Sequence, residues 1–340
     1  MKLKEALKNK RIYVIAEIGG NFTTFEEAKS MIDAAKECDC DGVKLQTYRA
    51  ETLTSRKAMF EFETTGHRPQ FEMFQSLEID KDLHEKIFDY SRQKGIEIFS
   101  TPSHMTDVEM LEQLNCPIYK IGSDDAVNIP FLRGIARLKK SIILATGMCT
   151  LDEVEESVNA ILEEGCSDIF ILHAISLYPT HPEDVNLNAI LDLKRRFPNI
   201  PVGYSDHTLG STACICAAAM GAEIIEKHFT YDKNADGPDH IHSADPKEMQ
   251  KLVSMIRDFE VMRGTGVKMP APGELVSRIN NRKSIVLNRD IKSGERLTDS
   301  CFDLKRPGSG IQPKDIKYAL GRTFIRDMQK EDIVMWEDLG

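Results

Sequence analysis

The sequence predicts an α/β fold: a (β/α)8 barrel, of the TIM type, at residues 1–264, a linker at 265–280 and a small C-terminal module at 281–340. Eight short apolar, β-branched runs alternate with stretches of helical periodicity, and eight βα units are what a closed parallel barrel requires. Each run ends in a polar or charged side chain, and the C-terminal rim of barrel strands is where such folds place their chemistry. From Gly264 the texture changes to GTGVKMPAPGELVS, whose glycines and prolines have the composition of a connection between domains.

The first strand is expected at 11–18 (RIYVIAEI), closing on Glu17, with a helix over 25–37 in which Ala28, Met31, Ile32 and Ala35 recur at helical spacing. The second, DGVKLQT at 41–47, carries Lys44 and Gln46 near its end. Residues 48–79 are charged and aromatic and too long for an ordinary βα turn, so they are expected over the rim as a lid or substrate wall. A helix at 81–94 leads to a strand at 96–101 ending in Ser100 and Thr101; a helix near 106–114 leads to a strand at 118–123 with Lys120 and Ser123. A helix near 129–138 precedes a strand at 141–146 ending in Thr146, and a helix at 151–164 precedes a strand at 168–174 with His173. The last units are a helix at 187–196, a strand at 201–206 running into Asp206 and His207, a helix at 211–220, a strand at 223–229 with Glu226 and His228, and a helix at 246–263. An open doubly wound sheet competes, but no G-x-G-x-x-G follows the first strand. The C-terminal stretch has short apolar pieces between turns; at about 60 residues it is marginal alone and needs something to pack on.

The chain has 340 residues, 41% hydrophobic and 29% charged, an ordinary soluble composition. A net charge of −10 argues against nucleic acid or an anionic membrane as partner, since both call for a basic face. The N-terminus shows no signal-peptide pattern and no segment reaches membrane-spanning length, so a cytoplasmic location is expected. Eight cysteines show neither zinc-ribbon nor C-x-x-C spacing and are expected to be reduced thiols.

His207 and His228 fall at the ends of neighbouring strands beside Asp206 and Glu226, where two neutral imidazoles can share a divalent metal. No H-x-x-x-H helix spacing is present, which argues against a zinc protease. Lys44 and Lys120, with Ser123 and Ser205, suit a phosphorylated or carboxylated substrate; one lysine could instead serve as a Schiff-base nucleophile if desolvation depressed its pKa. Glu17, in AEIGGN, can hold sugar hydroxyls or move a proton, with glycines beside it that admit a ligand closely. In GPDHIHS, Asp239 can orient a substrate hydroxyl or a metal-bound water, whereas His240 and His242 read as solvated loop residues.

Together IAEIGGN (15–21), VKLQ (43–46), YKIGS (119–123), ATGM (145–148), SDHT (205–208), EKHF (226–229) and GPDH (237–240) resemble the sialic acid synthase family, and KRPGSGI (305–311) resembles its C-terminal antifreeze-like (SAF) domain, of β-clip type. The resemblance implies condensation of phosphoenolpyruvate with an open-chain N-acylated amino sugar, giving a nine-carbon α-keto acid and phosphate, with Mn2+ or Mg2+ as cofactor. It implies His207 and His228 as metal ligands, Lys44, Lys120, Ser123 and Ser205 as grips on phosphoenolpyruvate, and Glu17 as a residue that holds the sugar and relays a proton. Gln46, Ser176, Tyr178 and Glu226 would line the pocket, and Asp239 would touch sugar hydroxyls. It further implies a domain-swapped homodimer in which Arg306 of the capping module reaches the acyl group. Phe22, Asp124, Asp125, Ala145 and Ser176 stand where the family pattern has His, Gly, Glu, Ser and Asn, which leaves the sugar open. The alternatives are a lysine Schiff-base sugar-acid aldolase and a carbohydrate-binding barrel without activity.

Overall fold

Strands of four to six residues, buried on both faces, can close a parallel sheet only if helices cover its outside, and the chain alternates accordingly. The computed structural model describes residues 1–62 and 66–340, in two compact units, Met1–Gly264 and Thr265–Gly340. The strands, in chain order, are β1 (Tyr13–Glu17), β2 (Gly42–Thr47), β3 (Met59–Phe62), β4 (Gly66–Pro69), β5 (Glu97–Pro102), β6 (Ile118–Ile121), β7 (Ser141–Ala145), β8 (Ile169–Ala174), β9 (Val202–Asp206), β10 (Ile224–His228), β11 (Ser284–Leu287) and β12 (Phe302–Lys305). Eight of them form a closed barrel in the order β1-β10-β9-β8-β7-β6-β5-β2, with every pairing parallel. This is the fold class expected from the sequence.

Local signals fix the helix starts. Thr24 with Glu27, Thr150 with Glu153 and Asp245 with Glu248 form capping boxes that satisfy the free N–H groups at the heads of three long helices, Phe25–Glu37, Leu151–Glu163 and Pro246–Met262. Helix Lys81–Lys94 begins on an Asp80 cap and stops at Gly95, whose φ of +66° suits a left-handed end. The insertion at 48–79 holds helices Ala50–Leu53 and Gln70–Ser76 and the antiparallel β3–β4 pair; its residues 63–65 lie outside the described residues. A helix at Leu3–Lys8, not anticipated, sinks Leu3 and Ala6 into the barrel core.

The second unit pairs β11 with β12 and adds isolated bridges such as Ile291↔Met328 and Val286↔Ile333 around its own core of Ile285, Leu287, Leu297, Phe324 and Val334. A helix, Glu274–Asn281, occupies part of the stretch expected to be irregular; its apolar residues Leu275, Val276 and Ile279 recur at helical spacing but stand exposed, just after the glycines and prolines of 264–273 that give the stretch its linker texture. Six cysteines are buried and all eight are free.

Side-chain parity decides what each strand end does. On β9 and β10, Tyr204, Asp206 and Lys227 turn toward the helices. Asp206 there takes Lys227 Nζ at 2.6 Å, Tyr204 OH at 2.9 Å and Cys214 Sγ at 3.1 Å, all buried. Lys227→Met leaves that carboxylate uncompensated and is expected to cost about 3–5 kcal/mol in denaturant unfolding; a loss under about 1 kcal/mol would show that Asp206 does not depend on the pair.

Candidate active site

The opposite parity points Glu17, Lys44, Gln46, Lys120, Ser205, Glu226 and His228 inward. Lys44, Lys120, Ser205, Glu226 and His228 line a cavity of about 410 Å3 at the strand ends. Register sets Glu17 beside Lys44 on one side and His228 on the other. Lys44 Nζ lies 2.6 Å from Glu17 Oε2 and 3.8 Å from Glu226 Oε1, and Lys120 Nζ lies 3.7 Å from the same Glu226 oxygen. Gln46 donates to Glu17 at 3.1 Å, Ser205 to Glu226 at 2.9 Å, and Lys44 to Thr101 Oγ1 at 3.1 Å. A Cβ at Gly19 would sit 2.5 Å from Glu17 Oε1 and 2.6 Å from Gln46 Cγ, so only glycine lets this turn close over the pair.

The two carboxylates differ because their neighbours differ. Burial pushes Glu17 up to about 7 against the pull of Lys44. At Glu226 burial is outweighed by Lys120 and Lys44, which hold it at about 2. Burial lowers Lys120, whereas at Lys44 burial is outweighed by Glu17 and Glu226 together, which raise it. A carboxyl near neutrality beside a fixed carboxylate is the pairing from which acid–base chemistry is built.

The imidazoles lie on the adjoining wall. His207 Nδ1 stands 2.6 Å from the Ile175 carbonyl, which places its proton there and leaves Nε2 as the electron-pair donor. The His207 and His228 ring centroids are 5.4 Å apart, and the Tyr178 ring packs against His207 at 4.2 Å, tilted by 41°. Burial drives His207 down to about 4 and His228 to about 3, so both rings are neutral at pH 7. His228, Asp239 and His242 each offer one ligand atom within 4.8 Å of the others and can hold a metal ion. His240 and His242, expected to be solvated, are each only 3% exposed. The bridge between Phe229 and Ala244, with Asn21 donating to Ser243 Oγ at 2.9 Å, ties their loop down against the barrel.

Ser123, Ser176 and Tyr178 also line the cavity, and Ser123 Oγ accepts from Gly147 N at 2.9 Å. Four of the polar strand endings do not: Ser100 bonds Thr47, Thr146 bonds the Leu172 carbonyl, His173 bonds the Val185 carbonyl and Asp206 bonds Lys227. Phe22 sits in the core, Asp124 and Ala145 reach the cavity, and burial raises Asp125 to about 6. Arg306 belongs to the second unit, exposed just past β12. Thr101 as a partner of Lys44 was not anticipated; the wall expected from 48–79 does line the cavity, through Tyr48, Leu53, Phe60 and Phe74, with Met148 from elsewhere in the barrel.

Fold and cavity define a barrel protein whose rim combines paired lysines and carboxylates with a cluster of neutral imidazoles. The chain belongs to the NeuB family, whose model matches residues 31–268, and it carries a SAF domain at 282–340. It is 42% identical over 333 residues to an uncharacterized protein of Methanocaldococcus jannaschii, covering 98% of this chain and 96% of that one. It is 38% identical to the N,N'-diacetyllegionaminic acid synthase of Legionella pneumophila, covering 96% and 94% of the two chains. Among solved structures it is similar to an N-acetylneuraminic acid synthetase of Leptospira borgpetersenii in complex with citrate, at 32% identity and a TM-score of 0.72, covering 78% of this chain and 90% of that one. No helix among the described residues is long and apolar enough to cross a membrane.

The shifts set opposite pH trends for stability. His207 and His228 have folded values of about 4 and about 3, below the ordinary 6.5, so their contribution is full above 6.5 and is lost as pH falls toward 4. Glu17 has a folded value of about 7, above 4.5; its contribution is full below 4.5 and is lost as pH rises through 7. With chelator present, the urea midpoint should drop between pH 6.5 and pH 4, and a His207→Phe, His228→Phe chain should show a flatter drop. An equal slope in both chains would remove the buried neutral imidazoles as its source.

Proposed function

We propose that the chain is a nonulosonic acid synthase that joins phosphoenolpyruvate to the open-chain aldehyde of an N-acylated amino sugar, yielding a nine-carbon α-keto sugar acid and inorganic phosphate. The observation that carries it is the convergence of two buried lysines, Glu226 and neutral imidazoles on one cavity, with a carboxyl near neutrality, Glu17, buried against Lys44, in a NeuB-family barrel. Relatives named as N,N'-diacetyllegionaminic, pseudaminic and N-acetylneuraminate-9-phosphate synthases support the same class of reaction.

Lys44 and Lys120, with Ser123 and Ser205, bind the phosphate and carboxylate of phosphoenolpyruvate and hold C3 toward the aldehyde carbon. His207 and His228 would hold a divalent cation, Mn2+ or Mg2+, which when bound supplies Lewis-acid polarisation of the aldehyde oxygen; their unprotonated rings, and a His228 Nδ1 with no hydrogen-bond partner among the described residues, fit that task. As C3 attacks, Glu17 gives its proton to the aldehyde oxygen, held in place by Gln46. Positive charge develops at C2, and Glu226, ionised throughout, stabilises it. Water adds at C2 and yields one proton to Glu17; the C2–O bond to phosphate then breaks as the remaining C2 hydroxyl proton passes to the departing phosphate and C2 becomes a ketone, with the lysines holding the leaving anion. Tyr178 and Asp239 contact the sugar.

An unphosphorylated 2,4-diacetamido hexose suits the cavity better than N-acetylmannosamine. Its acyl methyl groups match the wall of Leu53, Phe60 and Phe74, and Lys44 and Lys120 are the only lysines or arginines among the described lining residues. Arg306 we assign to the acyl group of a partner's substrate in a domain-swapped homodimer. A second interpretation draws on the lowered Lys120: a Schiff-base aldolase that needs no metal.

The test is phosphate release from phosphoenolpyruvate with Mn2+ and a panel of free and phosphorylated 2-acetamido and 2,4-diacetamido hexoses. Release with an acylated hexose is expected, falling at least about 100-fold in Glu17→Gln. Absence of release across the panel, with borohydride trapping pyruvate on Lys120, would replace the synthase by the aldolase; sugar binding without either would leave a binding barrel. Arg306→Ala should raise the KM for the sugar and leave that for phosphoenolpyruvate; the reverse pattern removes the swapped cap.

A further inference from the structure

Tyr48 is a buried residue of the cavity that the proposed reaction leaves without a task. It follows directly on β2 and is only 7% exposed. Aromatic packing fixes its ring: it meets Phe74 edge-on with centroids 5.2 Å apart, and Phe74 in turn lies 5.5 Å from Phe60. The described residues of 48–79 that line the cavity are Tyr48, Leu53, Phe60, Met73, Phe74 and Leu77, and of these Tyr48 alone carries a hydroxyl. Among the described residues that hydroxyl has no hydrogen-bond partner. Buried tyrosine hydroxyls usually find one, because an unmatched polar group against an apolar wall costs free energy. Burial, and then the Asp239 and Glu78 carboxylates, push its pKa up, so the phenol is a neutral donor at pH 7. Asp239 lines the same cavity and, ionised, can only accept.

We infer that Tyr48 determines specificity for a second acylamino group on the acceptor sugar: its hydroxyl donates to the acyl carbonyl, the acyl methyl packs on Leu53, Phe60 and Phe74, and Asp239 accepts from the amide N–H. It rests on the proposed synthase reading and adds to it the residue that separates a 2,4-diacetamido hexose from a 2-acetamido one. A donor, an acceptor and an apolar wall complement the three parts of an acylamino group, its carbonyl oxygen, its N–H and its methyl. A hydroxyl substituent is too short to fill the wall. An ammonium substituent has no lone pair to accept from the phenol. The acyl group on C2 is then the one left to Arg306.

The experiment compares the parent chain with Tyr48→Phe, which keeps the ring and its packing, on 2-acetamido, 2-acetamido-4-amino and 2,4-diacetamido hexoses. Phosphate release with phosphoenolpyruvate and Mn2+ gives kcat/KM for each sugar, and ligand-observed NMR without phosphoenolpyruvate gives each affinity. Thermal unfolding checks that the variant folds. The parent should prefer the diacetamido sugar in both readouts, and Tyr48→Phe should cut that preference by about 10-fold, the scale of one neutral hydrogen bond. An equal loss for all three sugars, an unchanged preference, or a parent that shows no preference would overturn the inference and leave the synthase reading standing. If the parent released no phosphate with any sugar, the synthase reading would fall and the affinities would decide. A diacetamido preference that weakens in Tyr48→Phe would then sustain the subsite, and equal binding of the 2-acetamido and 2,4-diacetamido sugars by the parent would overturn it.

Discussion

Two lysines and two glutamates, sealed within a few ångströms of one another at the mouth of the barrel, are the constraint around which the rest of the site is arranged. Charges removed from water are tolerated only when matched, and here the formal charges cancel. The match is uneven. Lys44 and Glu17 are in contact at 2.6 Å, whereas Lys120 is 3.7 Å from Glu226, and the second Glu226 oxygen has no hydrogen-bond partner among the described residues. Lys120 is therefore the least committed cation and the natural first contact for an incoming anion. The unequal pairing also separates the carboxylates, one near neutrality and one fixed as an anion, without any residue being intrinsically unusual.

Only a closed parallel barrel brings these groups together from such distant parts of the chain. Glu17, Lys44, Lys120 and Glu226 come from four strands, yet parallel register sets Glu17 level with Lys44 and His228. Backbone hydrogen bonding fixes that level, so the cluster is positioned by sheet geometry and not by mobile loops. The loops add what sheets cannot: an apolar wall from 48–79, and the turn at His240–His242 that brings Asp239 and His242 against His228.

Much of this was legible in the sequence because the β/α alternation is regular and the strands end in unmistakable polar residues. What was not legible follows from parity. Reading the last polar side chain of a strand puts Asp206, His173 and Thr146 at the rim, but neighbouring residues face opposite sides, and a shift of one position sends Asp206 to Lys227 and Cys214. Ser205 and Glu226 have the inward parity and reach the cavity. His242 was unreadable for another reason: a histidine in a Gly- and Asp-rich turn looks solvated until a long-range bridge, Phe229 to Ala244, buries it. The helix at Glu274–Asn281 was masked by its neighbours: it is short, and the glycines and prolines of 264–273 just before it give the whole stretch the composition of a connection.

The most direct test of the central claim is equilibrium binding of phosphoenolpyruvate to the parent chain and to Lys120→Met, in chelator, so that only the protein's own cations contribute. If the incompletely matched lysine is the anion's anchor, the substitution weakens binding by about 100-fold or more, the scale of a buried charge-assisted contact. Equal affinity in the two chains would mean that the buried cluster is a structural ion network and that the anion binds elsewhere.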